Sequence, residues 1–328
     1  MFPARVCDAL GIRIPAAELG FAAEAMREAG APRSLAGQLH ALAEAIDRWP
    51  AERTLPAEDH YRLLDHCEEI DRLLQRLRID SRTVPTGLLD LVWSIPRLLD
   101  ALNDTRLQWL FWLPRKGEFL ATCLEAGAWI RDCLSGFGSV ALMSATLEPV
   151  ERFRESAGLS ASATSLVRGA ASWRDEAYDV AVDTRPDTRL KSRRAHYEMT
   201  AGTIALAAAH SPGRPVVAFF PSYRYAADIR EYLSVIEPGL RCQVQPRSGD
   251  LEERQRFIEE GLIMADVLLL ILGSSYAEGI DQLGGRIDTA IVVGPALPEM
   301  DLIVREQLER SEATTRSEAF ARVCIEPA

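Results

Sequence analysis

Apolar side chains recur at helical spacing through the first third of the chain. Leu35, Leu39, Leu42 and Ile46 line one side of a predicted helix that Ser34 can cap, and Pro56 opens a second carrying Tyr61, Leu64, Cys67, Ile70, Leu74 and Leu77. An alanine-rich stretch from Pro15 to Gly30 and an amphipathic one from Thr86 to Leu102 complete a section, residues 1–104, that reads as all-α. Stripes of this kind are ordinary core faces, so no chemistry follows from them.

At Leu107 the pattern changes. Leu107 to Leu113 and Phe119 to Cys123 predict a β-hairpin around the turn Pro114-Arg115-Lys116-Gly117. A short helix, Glu125 to Leu134, leads into an apolar run from Ser139 to Met143 that reads as a buried strand ending in Ser144-Ala145-Thr146-Leu147. Beyond it, strands are predicted at Tyr178 to Val182, Pro215 to Phe220, Arg241 to Gln245, Asp266 to Leu272 and Ile287 to Gly294. Helices alternate with them at Arg194 to His210, Tyr225 to Ile236, Leu251 to Gly261 and after Pro298. Near-continuous apolar strands between helices mean an α/β arrangement with a parallel sheet covered on both faces.

Composition narrows the class. With 328 residues, 48% hydrophobic and 26% charged, the chain has material for two cores, which excludes simple disorder and a disulfide-built miniprotein. The longest apolar run, Val267 to Leu272, falls far short of the roughly 20 residues a membrane-spanning helix needs, and the N-terminus lacks a signal pattern. A soluble, cytoplasmic protein with no membrane partner is therefore expected. The six cysteines show no Cys-x-x-Cys pair and no histidine at metal-ligand spacing, so no metal site is expected and they read as reduced, mostly buried thiols.

Net charge is −11, which gives no global attraction to nucleic acid. Polyanion binding would have to rest on a local patch. Arg185, Arg189, Lys191, Arg193 and Arg194, opposed only by Asp187, supply one, although a solvated loop and helix start reads equally well.

Open parallel sheets place ligands beyond the carboxyl ends of their strands, and four predicted strand ends carry polar or glycine-rich signals. Ser144-Ala145-Thr146 offers two hydroxyls, or simply a helix cap. Phe219-Phe220-Pro221-Ser222-Tyr223 delivers a hydroxyl and an aromatic ring to a helix start, where a phosphate and a base can be held; a cap and a packed ring is the plain alternative. Gly273 to Asp281 is the strongest signal. Its Gly273, Ser274 and Ser275 let backbone N–H groups approach an anion, while Glu278 and Asp281 around Gly279 offer acceptors for a ribose hydroxyl or an arginine. Gly294-Pro295-Ala296-Leu297-Pro298 reads as a rigid exit turn.

These strings in this order, SATL, FFPSY, AEGID and a Gly-Pro-x-x-Pro turn, resemble motifs III, IV and V of the XPD/DinG branch of superfamily 2 DNA helicases. The resemblance covers residues 107–328 well and implies a RecA-like second helicase lobe over 166–328, ending before motif VI. Residues 105–165 would be a remnant of the first lobe carrying motif III, and 1–104 an arch-like insertion. It further implies coupling roles for Ser144 and Thr146, and DNA contacts from Ser222, Tyr223, Ser274, Ser275 and the basic cluster. Glu278, Gly279 and Asp281 would form one wall of an interlobe nucleotide cleft.

Family members use ATP and Mg²⁺ through a Walker A loop ending Gly-Lys-Thr/Ser. Of the 37 basic residues only Lys116 and Lys191 are lysines; Lys116 precedes Gly117 and Lys191 follows Leu190, so neither fits. No DEAH box, motif VI or four-cysteine iron–sulfur module is present in the sequence. The expectation is a helicase fragment, starting after motif II and stopping before motif VI, that acts on single-stranded DNA 5′ to 3′ when complete and is inactive alone. A separate chain would supply the Walker A lobe. The alternative is a non-catalytic nucleic-acid-binding or regulatory module on a degenerate lobe.

Overall fold

A computed structural model of the chain describes residues 2–144, 149–169, 177, 179–247, 250–274, 276, 283–295, 297–298, 300–311 and 313–325. It divides into two compact units, one of Met1–Val167 with Glu299–Pro327 and the other of Arg168–Pro298.

The first unit begins with α1 (Phe2–Leu10), β1 (Ile12–Pro15), α2 (Ala16–Glu28), α3 (Arg33–Arg48), β2 (Arg53–Thr54), α4 (Ala57–Leu74) and α5 (Thr86–Asn103). Next come the hairpin β3 (Gln108–Arg115) and β4 (Glu118–Glu125), then α6 (Gly127–Leu134) and α7 (Val150–Ser156). Prolines set the helix starts: Pro15, Pro32, Pro56, Pro85 and Pro149 each occupy the N-cap position of the helix that follows. The fixed φ of proline suits this boundary and its missing N–H is no loss there. Pro32 rather than Ser34 is therefore the N-cap of α3, and Ser34 lies within its first turn.

The predicted stripe Leu35, Leu39, Leu42 and Ile46 is fully buried. On α4 the buried stripe runs through Leu63, Cys67, Ile70 and Leu74, which leaves Tyr61 67% exposed. Two short strands lie within the helical section, and they join the hairpin in an antiparallel sheet of order β1-β4-β3-β2. Ile12 pairs with Ala121, Ile14 with Phe119 and Arg53 with Leu113. Gly117 takes φ +73° at the hairpin turn, a conformation that glycine reaches without a Cβ penalty.

One apolar core then spans helices and hairpin, with Leu19, Leu39, Ile46, Leu63, Ile95 and Leu98 packed together with Leu113, Phe119 and Ala121. Burying each large side chain of this set contributes about 1.5–3 kcal/mol.

The second unit contains α8 (Tyr197–Ala209), β5 (Val216–Phe220), α9 (Tyr223–Ile236), β6 (Cys242–Val244), α10 (Leu251–Met264), β7 (Val267–Ile271) and β8 (Ala290–Val292). Its sheet is wholly parallel in the order β6-β7-β5-β8, the α/β lobe that the alternating pattern predicts. Every residue of β5 and β7 is buried, because the sheet is covered on both faces. Ala218, Phe220, Val267, Leu269 and Ile271 meet α8 and α9, while Val217, Phe219, Leu268 and Leu270 meet Ile258 and Leu262 of α10. The sequence ends in α11 (Leu302–Arg310) and α12 (Arg316–Phe320), which continues into a π-helical turn, Ala321–Ile325. These last helices group with the first unit, where Arg310 donates to the Trp109 carbonyl at 2.8 Å.

Two predicted strands are absent among the described residues. Residues 139–144 are irregular, with Met143 92% exposed, and 179–182 are likewise irregular and open to solvent. A short apolar run becomes a strand only where a neighbour pairs with it, and neither run has one. Tyr178 lies outside the described residues. No helix among the described residues is long and apolar enough to cross a membrane.

The first unit contains a close backbone approach that tests this packing. Gly158 has φ +66°, and a Cβ there would stand 1.9 Å from the Gly127 carbonyl oxygen at the start of α6, whereas a Cβ on Gly138 would meet nothing within 4 Å. Gly158→Ala is expected to lower the stability of this unit by at least about 2 kcal/mol, and Gly138→Ala by under about 0.5 kcal/mol. Chemical denaturation of the two variants side by side measures the difference.

Candidate nucleic-acid interface

The polar signals of the second unit gather at the carboxyl ends of its parallel strands, the position where such sheets bind ligands. The chain leaves β5 through Pro221, and Ser222 adopts extended backbone to cap α9, accepting from the Tyr225 N–H at 3.3 Å. The cap uses an oxygen lone pair, so the Ser222 hydroxyl keeps its proton for a further hydrogen bond.

Directly after β6 stands Gln245, only 3% exposed. Its Nε2 donates to Tyr223 Oη at 2.8 Å, and its Oε1 accepts from the Ile271 N–H at 2.9 Å and from Ser274 Oγ at 3.0 Å. One amide thus joins the ends of β6 and β7 to the first residue of α9. Tyr223 is fixed at its tip, and the Arg247 guanidinium lies over its ring at 5.5 Å from the centroid. That spacing makes a cation–π contact and leaves a paired planar surface beside the strand ends.

Gly273, at φ +70°, turns the chain after β7 so that Ser274 reaches back to Gln245 and to the Ile271 carbonyl at 2.7 Å. The hydroxyl has one proton for these two acceptors. In the same loop the Tyr276 ring packs edge-on against Phe257 at 5.6 Å. Its hydroxyl is buried and lacks a hydrogen-bond partner among the described residues, and burial raises its pKa.

The basic segment docks at the same end of the sheet. Gly294 follows β8 at φ +75°, and Thr188 packs so closely that a Cβ on that glycine would stand 2.9 Å from Thr188 Oγ1. Arg193 lies over the ring of Tyr225 in the first turn of α9, 4.6 Å from its centroid.

The charge of this segment is smaller than its sequence suggests. Asp183 opposes it in addition to Asp187: Arg185 pairs with Asp183 at 2.7 Å and Arg189 with Asp187 at 2.6 Å. These hydrogen-bonded guanidinium partners hold both carboxyl groups well below the usual carboxylate range. Lys191 and Arg194 have no ion-pair partner among the described residues, and both are exposed.

Ser222, Tyr223, Ser274 and the segment carrying Arg185, Arg189, Lys191, Arg193 and Arg194 are therefore brought to one end of one sheet. Ser275, Glu278, Gly279, Asp281 and Thr146 lie outside the described residues. Ser144 is exposed and belongs to the first unit. Sequence reasoning missed Gln245, Arg247 and Thr188. A glutamine after an apolar strand looks like any surface glutamine, and only the sheet order makes it central.

Neither lysine stands in a phosphate-binding loop. Lys116 occupies the exposed β3–β4 turn, and Lys191 an exposed turn before the 3-10 segment Arg193–His196. The residues present thus do not fit the ATP·Mg²⁺ grip of a first helicase lobe. Among the described residues no cluster of three or more His, Cys, Asp or Glu side chains is placed to hold a metal ion.

A parallel α/β lobe with its polar groups at the strand ends is the class this geometry defines. Residues 205–328 match the family model described as Helicase C-terminal domain, in line with the helicase resemblance of the motifs. The solved structure of S. tokodaii Xpd4 is similar to the chain at 14% identity and a TM-score of 0.49, over 98% of this chain. The chain spans 64% of the length of that one. No curated protein matches it.

Gln245 gives a direct test of the site's construction. Gln245→Leu strips the buried Ile271 N–H of its acceptor, which costs about 1–3 kcal/mol, and releases the tip of Tyr223. Gln245→Glu keeps the acceptor but buries a carboxyl group, so it is expected to recover part of that loss at low pH, where the group is protonated, and little of it at neutral pH. Denaturant midpoints of the two variants against the unchanged chain check the order.

Proposed function

We propose that this chain serves as the strand-gripping second lobe of a helicase that translocates on single-stranded DNA, 5′ to 3′ as the motif resemblance implies. The observation that carries this reading is the convergence of hydroxyl, aromatic and cationic side chains at the carboxyl ends of β5, β6, β7 and β8. Ser222 presents a hydroxyl to a backbone phosphate, while Ser274, whose single proton serves Gln245 and the Ile271 carbonyl, contributes by holding the turn after β7; the resemblance adds Ser275. Tyr223 under Arg247 offers a face on which a base can stack. Lys191 and Arg194 supply positive charge that no carboxylate among the described residues neutralises. Arg193 contributes from its seat on Tyr225, and Arg185 and Arg189 add hydrogen-bond donors with little net charge.

Glu278, Gly279 and Asp281 form one wall of a nucleotide cleft in this reading, and Ser144 and Thr146 relay the nucleotide state to the DNA contacts. Phosphoryl transfer depends on a lysine, a metal and arginine fingers positioned around the phosphates. With neither lysine in a phosphate loop, the ATP-gripping lobe is supplied by another polypeptide segment or a separate chain, and this chain alone neither hydrolyses ATP nor unwinds DNA.

Binding should respond to charge in both directions. Lys191→Ala with Arg194→Ala is expected to weaken single-stranded DNA binding and to flatten its dependence on log salt by about 0.7 per cation lost. Asp183→Asn with Asp187→Asn frees Arg185 and Arg189 and is expected to strengthen binding and steepen the same slope. Fluorescence anisotropy with a labelled oligonucleotide, from low to physiological salt, reads both effects. Equal affinity in all three proteins overturns the assignment, as does DNA-stimulated ATP turnover by the purified chain for the inactivity claim.

A further inference from the structure

Helices that connect parallel strands run opposite to them, so α8, α9 and α10 end where β5, β6 and β7 begin. This end of the sheet lies opposite the proposed interface. A groove of about 520 Å³ runs across it, from Ala205 and Ala209 of α8 past Leu240 to Leu262 and Ile263 of α10. Since α8 packs on one face of the sheet and α10 on the other, the groove crosses the strand ends. Its apolar side chains are not all covered. Ile263, which lines it, is 69% exposed, and Leu206, Val235 and Met264, each within two positions of a lining residue, are exposed as well.

The surroundings of the groove are negative. Arg241 pairs with Asp266 at 2.7 Å and Arg214 with Asp288 at 2.6 Å, so both guanidinium charges are offset. Glu237 lines the groove, is exposed and has no ion-pair partner among the described residues. Helix ends add to it, because the last carbonyls of a helix carry partial negative charge. In the first unit α2, α3, α4 and α6 counter that charge with Arg27, Arg48, Arg72 and Arg131 in their last turns. The helices α8, α9 and α10 have no basic residue there. His210 Nδ1 meets the Leu206 carbonyl at 2.8 Å beside the end of α8. The carbonyls of Val235, Ile236, Ile263 and Met264 accept no hydrogen bond among the described residues.

We propose that this groove is a docking surface for a basic amphipathic segment of a partner protein. Apolar side chains of the segment enter between Ala209 and Ile263 and cover the exposed rim, while its lysine or arginine side chains donate to the open carbonyls of α9 and α10 and pair with Glu237. Charge complementarity selects this occupant. The same negative surroundings repel phosphate, which disfavours nucleic acid and anionic lipid, and a small cation alone would leave the apolar rim in water. The surface stands independently of the proposed DNA grip, since the two share no residue.

The test uses the full chain and a fluorescent amphipathic peptide of leucine and lysine, with a counterpart carrying glutamate in place of lysine. The lysine peptide is expected to bind saturably and the glutamate peptide not at all. Hydrogen–deuterium exchange of the complex should slow in residues 205–215, 235–241 and 262–266. Glu237→Lys with Ile263→Lys should weaken binding at least about tenfold. Tyr61→Lys with Glu68→Lys, the same charge change at exposed positions of α4, should leave it unchanged. The exchange arm uses the unaltered chain, so it stands even if a variant misfolds. Equal loss in both double variants means general attraction to an acidic protein and overturns the proposal, as does slowed exchange only outside the groove. Protection of the groove by single-stranded DNA or by phosphatidylserine vesicles, and not by the lysine peptide, overturns it too.

Discussion

A single buried amide organises the ligand-facing end of the second unit. Gln245 sits where water is excluded, so both ends of its side chain must be satisfied from within, and the partners it finds belong to two distant chain segments, the start of α9 and the end of β7. Removing it would leave a buried N–H with no acceptor and deprive the Tyr223 hydroxyl of its shortest hydrogen bond. The arrangement therefore fixes the relative positions of Tyr223 and Ser274 more tightly than loop residues are usually held. The proposed grip on successive phosphates of a strand would require that fixity.

Electrostatics act more locally than the overall charge suggests. The chain is acidic, and part of its basic segment is neutralised by its own aspartates. What remains is a small set of exposed cations beside donors that are already oriented. Polyanion binding by so few cations would be weak and its salt dependence shallow, and the segment owes its placement to packing: Thr188 against Gly294 and Arg193 against Tyr225.

Much of this was legible in the sequence for identifiable reasons. Val267–Ile271 and Val216–Phe220 are apolar at every position, which only a doubly covered strand tolerates, and the α/β lobe followed from that. Leu35, Leu39, Leu42 and Ile46 repeat at helical spacing and are buried as a stripe. What failed were features decided by distant partners. The run ending at Met143 is apolar enough for a strand but finds no neighbour, and Ile12–Pro15 becomes a strand only because β4 is there to receive it. Gln245 and Asp183 belong to the same class, since each gains its role from residues far along the chain or from a turn whose shape no composition reveals.

Hydrogen–deuterium exchange on the full chain with and without a single-stranded oligonucleotide tests the central claim most directly. The account predicts slowed exchange in the peptides that carry residues 185–194, 222–225, 245–247 and 273–276, together and at low salt, with the protection lost as salt rises. Unchanged exchange in all four, or protection confined to the first unit, would contradict it.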